Sequence, residues 1–309
     1  MAGSLIFTTL LAGCGATANI FKEADEVGAS PEERLYLARS YLEKGLLDRA
    51  LEVASKVKRS LAQAGQTDSP LYKEACLIAG QARIGQQNLG VSSLVSIADR
   101  LDDTIGKEKG RIDEQSIIEA LEETGLFTVE RDEAGNIVAV GTMEEGKEEA
   151  LKEGREDLRE SLGIEVKDTD GDGIADLVNV PEEALDPDAG ATLVATDIAL
   201  AVNEALKIFD QNGDGDVTQN DVDTVLQTAQ DLEEHKEQLG EILLSVEEGI
   251  IVADKIGEQA GLQEEFVSEL KESKRDVLKA IDQAQRALGE GDVEAFKEEL
   301  RELLNLASQ

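Results

Sequence analysis

Apolar residues that return at steps of three and four, in one stretch after another, constrain this chain more than any other feature. Leu239, Ile242, Leu243, Val246, Ile250 and Ala253 form one such stripe. Phe266, Leu270, Val277, Ile281, Ala284 and Leu288 form a second, and Phe296, Leu300, Leu303 and Leu304 a third. This period stacks side chains on one side of a helix, so each stripe reads as a buried helical face. Gly289-Glu290-Gly291-Asp292 parts the last two, with glycine as the stop and Asp292 as the next cap. Ala191 to Phe209 and the highly charged Glu144 to Leu162 are helical as well. Aromatic residues supply only 3% of the chain and Trp is absent, so Leu, Ile, Val and Ala must fill the core. That suits packed helices better than a large sheet.

The helical pattern begins at Pro31. Ser30 is placed to cap, Pro31 takes the first helical position and Glu33 follows three residues after the cap. Leu37, Ala38, Tyr41, Gly45, Ala50 and Ala54 then fall where a tetratricopeptide repeat puts its apolar residues, turn glycine and small packing residues. The segment resembles that family, and a poorer second unit spans Tyr72 to Leu101 with Ala79, Ala82 and Ala98 as packing positions. A generic four-helix assembly accounts for the same spacing. Cys76, in the apolar run ACLIAG, reads as a small buried hydrophobe. Ile112 to Thr124 reads as a short helix, and LFTVERDEAGNIVAVGT alternates on both sides of Ala134-Gly135-Asn136, which signals a β-hairpin.

Two acidic loops carry the chemistry. DQNGDGDVTQND, Asp210 to Asp221, resembles an EF-hand loop. The resemblance puts Asp210, Asn212 and Asp214 at positions one, three and five, and Gly215 at the sharp turn. It makes Asp216 a carbonyl donor, Thr218 the position-nine ligand and Val217 the apolar anchor. Calcium takes six to eight hard oxygens in a flexible geometry, which such a loop supplies. Position twelve is Asp221 rather than Glu, as in dockerin-type loops; the shorter carboxylate implies weaker calcium binding or admission of magnesium. Upstream, DTDGDGIAD sets Asp168, Asp170, Asp172 and Asp176 around Gly171 and Gly173, with Ile174 at position seven. This string resembles the short calcium loops of thrombospondin type 3 repeats and bacterial surface proteins. Four carboxylates so close repel one another without a cation.

The N-terminus points to a destination. SLIFTTLLAG, Ser4 to Gly13, is too short to span a bilayer and has the length of a signal-peptide apolar region. Leu11-Ala12-Gly13-Cys14 resembles the lipobox of bacterial lipoproteins, which makes Cys14 the lipid-modified first residue of the mature chain. No Lys or Arg precedes the apolar run, a departure from secretory signals. Gly15 to Ser30 is small and polar, as a tether would be. With Cys14 and Cys76 the only cysteines, no disulfide framework exists.

The expected fold is mainly α: helical-hairpin repeats, an EF-hand-like calcium module and one small β-hairpin. The expected segments are a signal peptide (1–13), a lipidated tether (14–30), tetratricopeptide-like helices (31–105), a helix, hairpin and helix (106–165), a calcium module (166–232) and a helical bundle (233–309). Asp and Glu number 67 against 30 Lys and Arg, a formal charge of -37, which repels nucleic acid and attracts cations. His235 is the only histidine, in the charged run DLEEHKEQ, and no HExxH, P-loop or dinucleotide glycine motif occurs. The chain is therefore expected to be a non-enzymatic, calcium-binding lipoprotein of the cell envelope. It would be held at the membrane through Cys14, would serve as an adaptor for a protein partner and would have no nucleic acid partner. The alternatives are a calcium-dependent adhesion or glycan-associated module, and a hydrolase whose acids hide among many carboxylates.

Overall fold

The computed structural model describes residues 29–89, 93, 119, 122–132, 135, 137–181, 185–209, 229–257, 259 and 264–307. Within them the order is α1 (Pro31–Glu43), α2 (Leu47–Gln63), α3 (Pro70–Gly85), β1 (Thr128–Arg131), β2 (Ile137–Gly141), α4 (Glu145–Leu162), β3 (Glu165–Lys167), β4 (Asp176–Asn179), α5 (Pro187–Phe209), α6 (Ala229–Glu234), α7 (Lys236–Ile256), α8 (Glu264–Glu290) and α9 (Val293–Ala307). The architecture is mainly α, as the apolar period requires. β1 pairs antiparallel with β2, the expected hairpin. A second antiparallel hairpin, β3 with β4, joins it. Its strands span only three and four residues, too short for alternation to stand out in the sequence.

The local signals at the helix ends act as read. Ser30 caps α1 through its hydroxyl, which accepts from the Glu33 amide at 3.3 Å, and Glu33 accepts from the Ser30 amide at 2.8 Å. The α1–α2 turn passes through Gly45 at φ +69°, a left-handed conformation that glycine adopts without strain. At the other end Gly291 takes φ +70°, and the Asp292 carboxylate accepts from the Ala295 amide at 3.1 Å.

Successive helices pack on one another: α1 on α2, α2 on α3, α3 on α4, α4 on α5, α5 on α7, α7 on α8 and α8 on α9. Small residues make the first contacts close. Ala38, Ala50, Ala54, Ala75 and Ala82 are fully buried, Ala79 nearly so. Ala98, with residues 90–92 and 94–101, lies outside the described residues, as does most of the helix expected over 112–124.

Two further apolar clusters share α7. Leu239 and Leu243 join Ile281, Ala284, Leu288 and Phe296, whereas Val252, Ala253 and Ile256 join Leu193, Leu200 and Leu158. The single stripe expected on α7 is thus too narrow. Val246, one of its members, is 38% exposed, while Leu244, Val252 and Ile256 are buried. α7 is wrapped on two sides because α5 and α8 both pack against it. α5 is long and apolar enough to cross a membrane, but 78% of its apolar window is buried against its neighbours. It serves here as a core helix.

α3 and α4 approach closely where Gly80 faces Gly154. A Cβ at Gly80 would lie 2.9 Å from both the Gly154 carbonyl oxygen and Leu158 Cγ, and one at Gly154 would lie 2.6 Å from Ile84 Cγ1. In an open helix Gly→Ala gains up to about 1 kcal/mol; here overpacking costs about 1–3 kcal/mol. Gly80→Ala and Gly154→Ala should therefore lower the denaturant midpoint. Gly146→Ala should raise it, because nothing lies within 4 Å of a Cβ there. A stabilised Gly154→Ala would contradict the close crossing.

Candidate functional site

The β3–β4 hairpin is closed by the acidic loop, and the loop's form follows from its own side chains. Gly171 and Gly173 hold φ +83° and +88°, where a side chain would be strained. The Asp168 carboxylate accepts from the Gly171 amide at 2.7 Å and from the Gly173 amide at 3.1 Å. Asp170 accepts from the Asp172 amide at 3.1 Å, and Asp172 from the Ile174 amide at 2.7 Å. Aspartate favours such bonds to backbone just ahead of it in the chain, which folds the segment without help from a helix.

The result gathers three of the expected residues. Asp168, Asp170 and Asp172 each present an oxygen within 4.8 Å of the others. Asp168 and Asp170 are exposed and Asp172 is half-buried. Among the described residues, no Lys or Arg pairs with any of the three. Asp176 is not part of the triad. It starts β4, and its carboxylate accepts from the Thr169 amide at 3.0 Å and from the Thr169 hydroxyl. Of the four carboxylates expected around one ion, Asp168, Asp170 and Asp172 converge, while the hairpin turns Asp176 onto Thr169.

Ile174 is only 2% exposed, in the cluster with Ile208, Leu239, Leu243 and Ile281. Its side chain is an anchor. A Cβ at Gly240 of α7 would meet Ile174 Cγ2 at 2.9 Å, and one at Gly289 of α8 would collide with the Asp172 carboxylate. Two glycines on two helices therefore leave the space into which the loop docks. Neither was legible as a contact point in the sequence, since the facing loop lies more than sixty residues away in the chain. Near the hairpin, burial first and then the negative charges of Asp176 and Asp282 hold the Glu247 carboxyl above its ordinary value, although Gln285 donates to it.

Asp210, Asn212, Asp214, Asp216, Thr218 and Asp221 lie outside the described residues, as does Cys14. The flank ahead of the loop is helical, as expected, ending with α5 at Phe209.

A second cluster has similar spacing and the opposite character. Cys76, Asp157 and Glu160 also bring ligand atoms within 4.8 Å of one another. Here a cation is already present: Lys58 Nζ lies 2.6 Å from both Asp157 Oδ1 and Glu160 Oε2. Burial works against the Lys58 ammonium, yet its bonds to the two carboxylates outweigh that and raise its pKa. Tyr72 donates to Glu160 at 3.2 Å, and the Cys76 thiol donates to the same oxygen at 3.2 Å. Burial pushes that thiol up to about 12, so it remains protonated. Cys76 is buried as expected, but as a hydrogen-bond donor and not simply a hydrophobe. Nothing in the run ACLIAG marked that role; Glu160 reaches it from another helix.

His235 precedes α7 as its N-cap residue and is half-buried, with no side-chain cap bond.

Anchoring of the loop by Ile174 has a measurable consequence. Ile174→Ala should lower stability by about 2–5 kcal/mol, the range for a large-to-small change in a closed core, and chemical denaturation will read it. A cost below about 0.5 kcal/mol would mean that the side chain is not held as described.

No protein-family model, no curated protein and no solved structure matches this chain.

Proposed function

We propose that this chain is a non-enzymatic calcium-binding protein in which the β3–β4 loop holds a hard divalent cation and fastens the hairpin to α7 and α8. The observation that carries this reading is the contrast between the two carboxylate clusters. Asp157 and Glu160 have Lys58 between them, whereas Asp168, Asp170 and Asp172 converge with no cationic side chain paired to them among the described residues. Like charges held this close favour a cation, and oxygen-only donors suit calcium or magnesium rather than a softer metal. Asp168, Asp170 and Asp172 would hold the ion, with carbonyls or water completing its shell. The ion's contribution is to cancel carboxylate repulsion and stiffen the loop.

The Asp210–Asp221 segment, by its resemblance to an EF-hand loop, is proposed as a second site, with Asp210, Asn212, Asp214, Asp216, Thr218 and Asp221 as its donors. Cys14 is proposed as the lipid attachment point at a cell envelope. A role as an adaptor for a protein partner is supported by the helical hairpins. Gly45, Leu46, Leu47, Asp48, Arg49 and Gln86 line an open surface depression there, with Leu46 48% exposed.

Calorimetry of the chain with calcium should show uptake at millimolar concentration, and a hundredfold excess over Kd should add about 2.7 kcal/mol to the folded state. The joint variant Asp168→Asn, Asp170→Asn and Asp172→Asn should lose one class of sites, and Asp210→Ala the other. No heat and no shift in Tm in the unsubstituted chain would end the calcium reading. For the anchor, Cys14→Ser should abolish acyl labelling and move the protein from the detergent phase to the aqueous phase. Unchanged partitioning would remove the lipoprotein reading.

A further inference from the structure

α4, α5 and α7 meet around a carboxyl group that accepts no hydrogen bond. Asp197, in the apolar run LVATDIAL of α5, is 0% exposed, and neither of its oxygens accepts a hydrogen bond. Two guanidinium groups lie close, and their terminal nitrogens are engaged elsewhere, although the buried Arg155 Nε has no partner. Arg159 donates to Glu248 through Nε at 3.0 Å and again through a terminal nitrogen at 2.5 Å, and its other arm reaches Glu156 at 2.6 Å. Arg155 donates to Ser245 at 3.1 Å and to Glu241. The nearest approach of Arg155 to Asp197 Oδ1 is 3.5 Å, without hydrogen-bond geometry. Two arginines thus already have two buried or half-buried glutamates, Glu248 and Glu241, and Asp197 is a third acid in the same place.

Among the described residues, the surrounding elements supply no further cation paired with Asp197. α3, which also touches α5, contributes Arg83, but that side chain pairs with Glu153 and lies 3.7 Å from Asp157. On α5 itself, Lys207 pairs with Glu204 and Glu148, and Lys152 of α4 pairs with the same two carboxylates. An ionised Asp197 would be a surplus charge in a site closed to water, which is costly. A protonated one is neutral and avoids that charge.

We propose that Asp197 is a proton-held lock: a neutral carboxylic acid that closes the α4–α5–α7 junction, and whose ionisation loosens that junction. Burial, then the negative charge of Glu248, push its carboxyl well above the ordinary carboxylate value, outweighing Arg155 and Arg159. The folded chain therefore keeps a proton that the unfolded chain releases above about pH 4. Its stabilising effect is fully present at and below that pH. It declines as pH rises and is gone once the folded carboxyl itself ionises.

Asp197→Asn keeps the shape of the neutral acid and cannot ionise, so it separates this proton from the general repulsion of an acidic surface. Denaturant unfolding of both proteins between about pH 5 and pH 7 reads the difference. The ratio of unfolding constants, unsubstituted over Asp197→Asn, should rise about tenfold per pH unit while the folded acid stays protonated. A ratio independent of pH, or one that falls, would overturn the lock, because Asp197 would then be ionised in the folded chain. Carbon NMR of 13C-labelled aspartate gives a second reading on the unsubstituted protein, including the case in which Asp197→Asn does not fold. One buried aspartate carboxyl, assigned to Asp197 by its backbone connectivity, should keep its protonated chemical shift at pH 7. An ionised shift there would equally overturn it.

Discussion

Arg155 and Arg159, one turn apart on α4, carry their charges into the place where α4, α5 and α7 meet, and much of the structure is arranged around them. Arg159 grips Glu248, which is 0% exposed, and Arg155 reaches Glu241 and Ser245 on the same helix. A buried ion pair adds little over an apolar pair of similar shape, whereas stranding one of its partners is costly. The arginines therefore set the rotation and height of α4 on α7. A slip of α4 by one turn would leave a guanidinium in an apolar cluster and a glutamate alone. From this junction the other contacts follow outward: α3 crosses α4 at Gly80 and Gly154, and α7 passes from the α5 cluster to the one it shares with α8.

The acidic hairpin depends on that arrangement too. Its loop shapes itself through aspartate bonds to the backbone, but its position is set by Ile174 entering the cluster beside Gly240 and by Asp172 lying against Gly289. A cation at Asp168, Asp170 and Asp172 would act on an element already docked on two helices. The Cys76 cluster shows how the same chain treats acids that it means to neutralise internally: Lys58 is supplied from α2, and the thiol and Tyr72 hydroxyl complete the site. On the other side of α4, Lys152 and Lys207 do the same for Glu148. Burial there is outweighed by the two ammonium groups, and the Glu148 carboxyl is held down at about 2.

The elements that were legible in the sequence are those fixed by neighbours in the chain. The Ser30–Glu33 capping box, the Gly45 and Gly291 turns, the Asp292 cap and the hairpin around Gly135 all act within a few residues, so local pattern suffices. The acidic loop was legible for the same reason, down to the spacing of Asp168, Asp170 and Asp172. What that spacing could not show was the bond from the Thr169 amide to Asp176. A clue to the polar junction is present in the sequence: a lone charged residue in the run LVATDIAL, on the buried side of a helix, requires an explanation.

Apolar period, scarcity of aromatics and the excess of acids were enough to determine a helical protein with an acidic surface and to locate its metal-compatible loop, because each acts through local geometry or through summed charge. Which helices touch, which faces are doubly buried and which charges lose their water were decided only in the tertiary structure. Those outcomes depend on residues a hundred positions apart or nearly so, such as Lys58 with Asp157 and Arg159 with Glu248, separated by 99 and 89 residues. A side chain's partner at that distance leaves no periodic trace in the sequence, since it is chosen by the packing of whole helices and not by spacing along the chain.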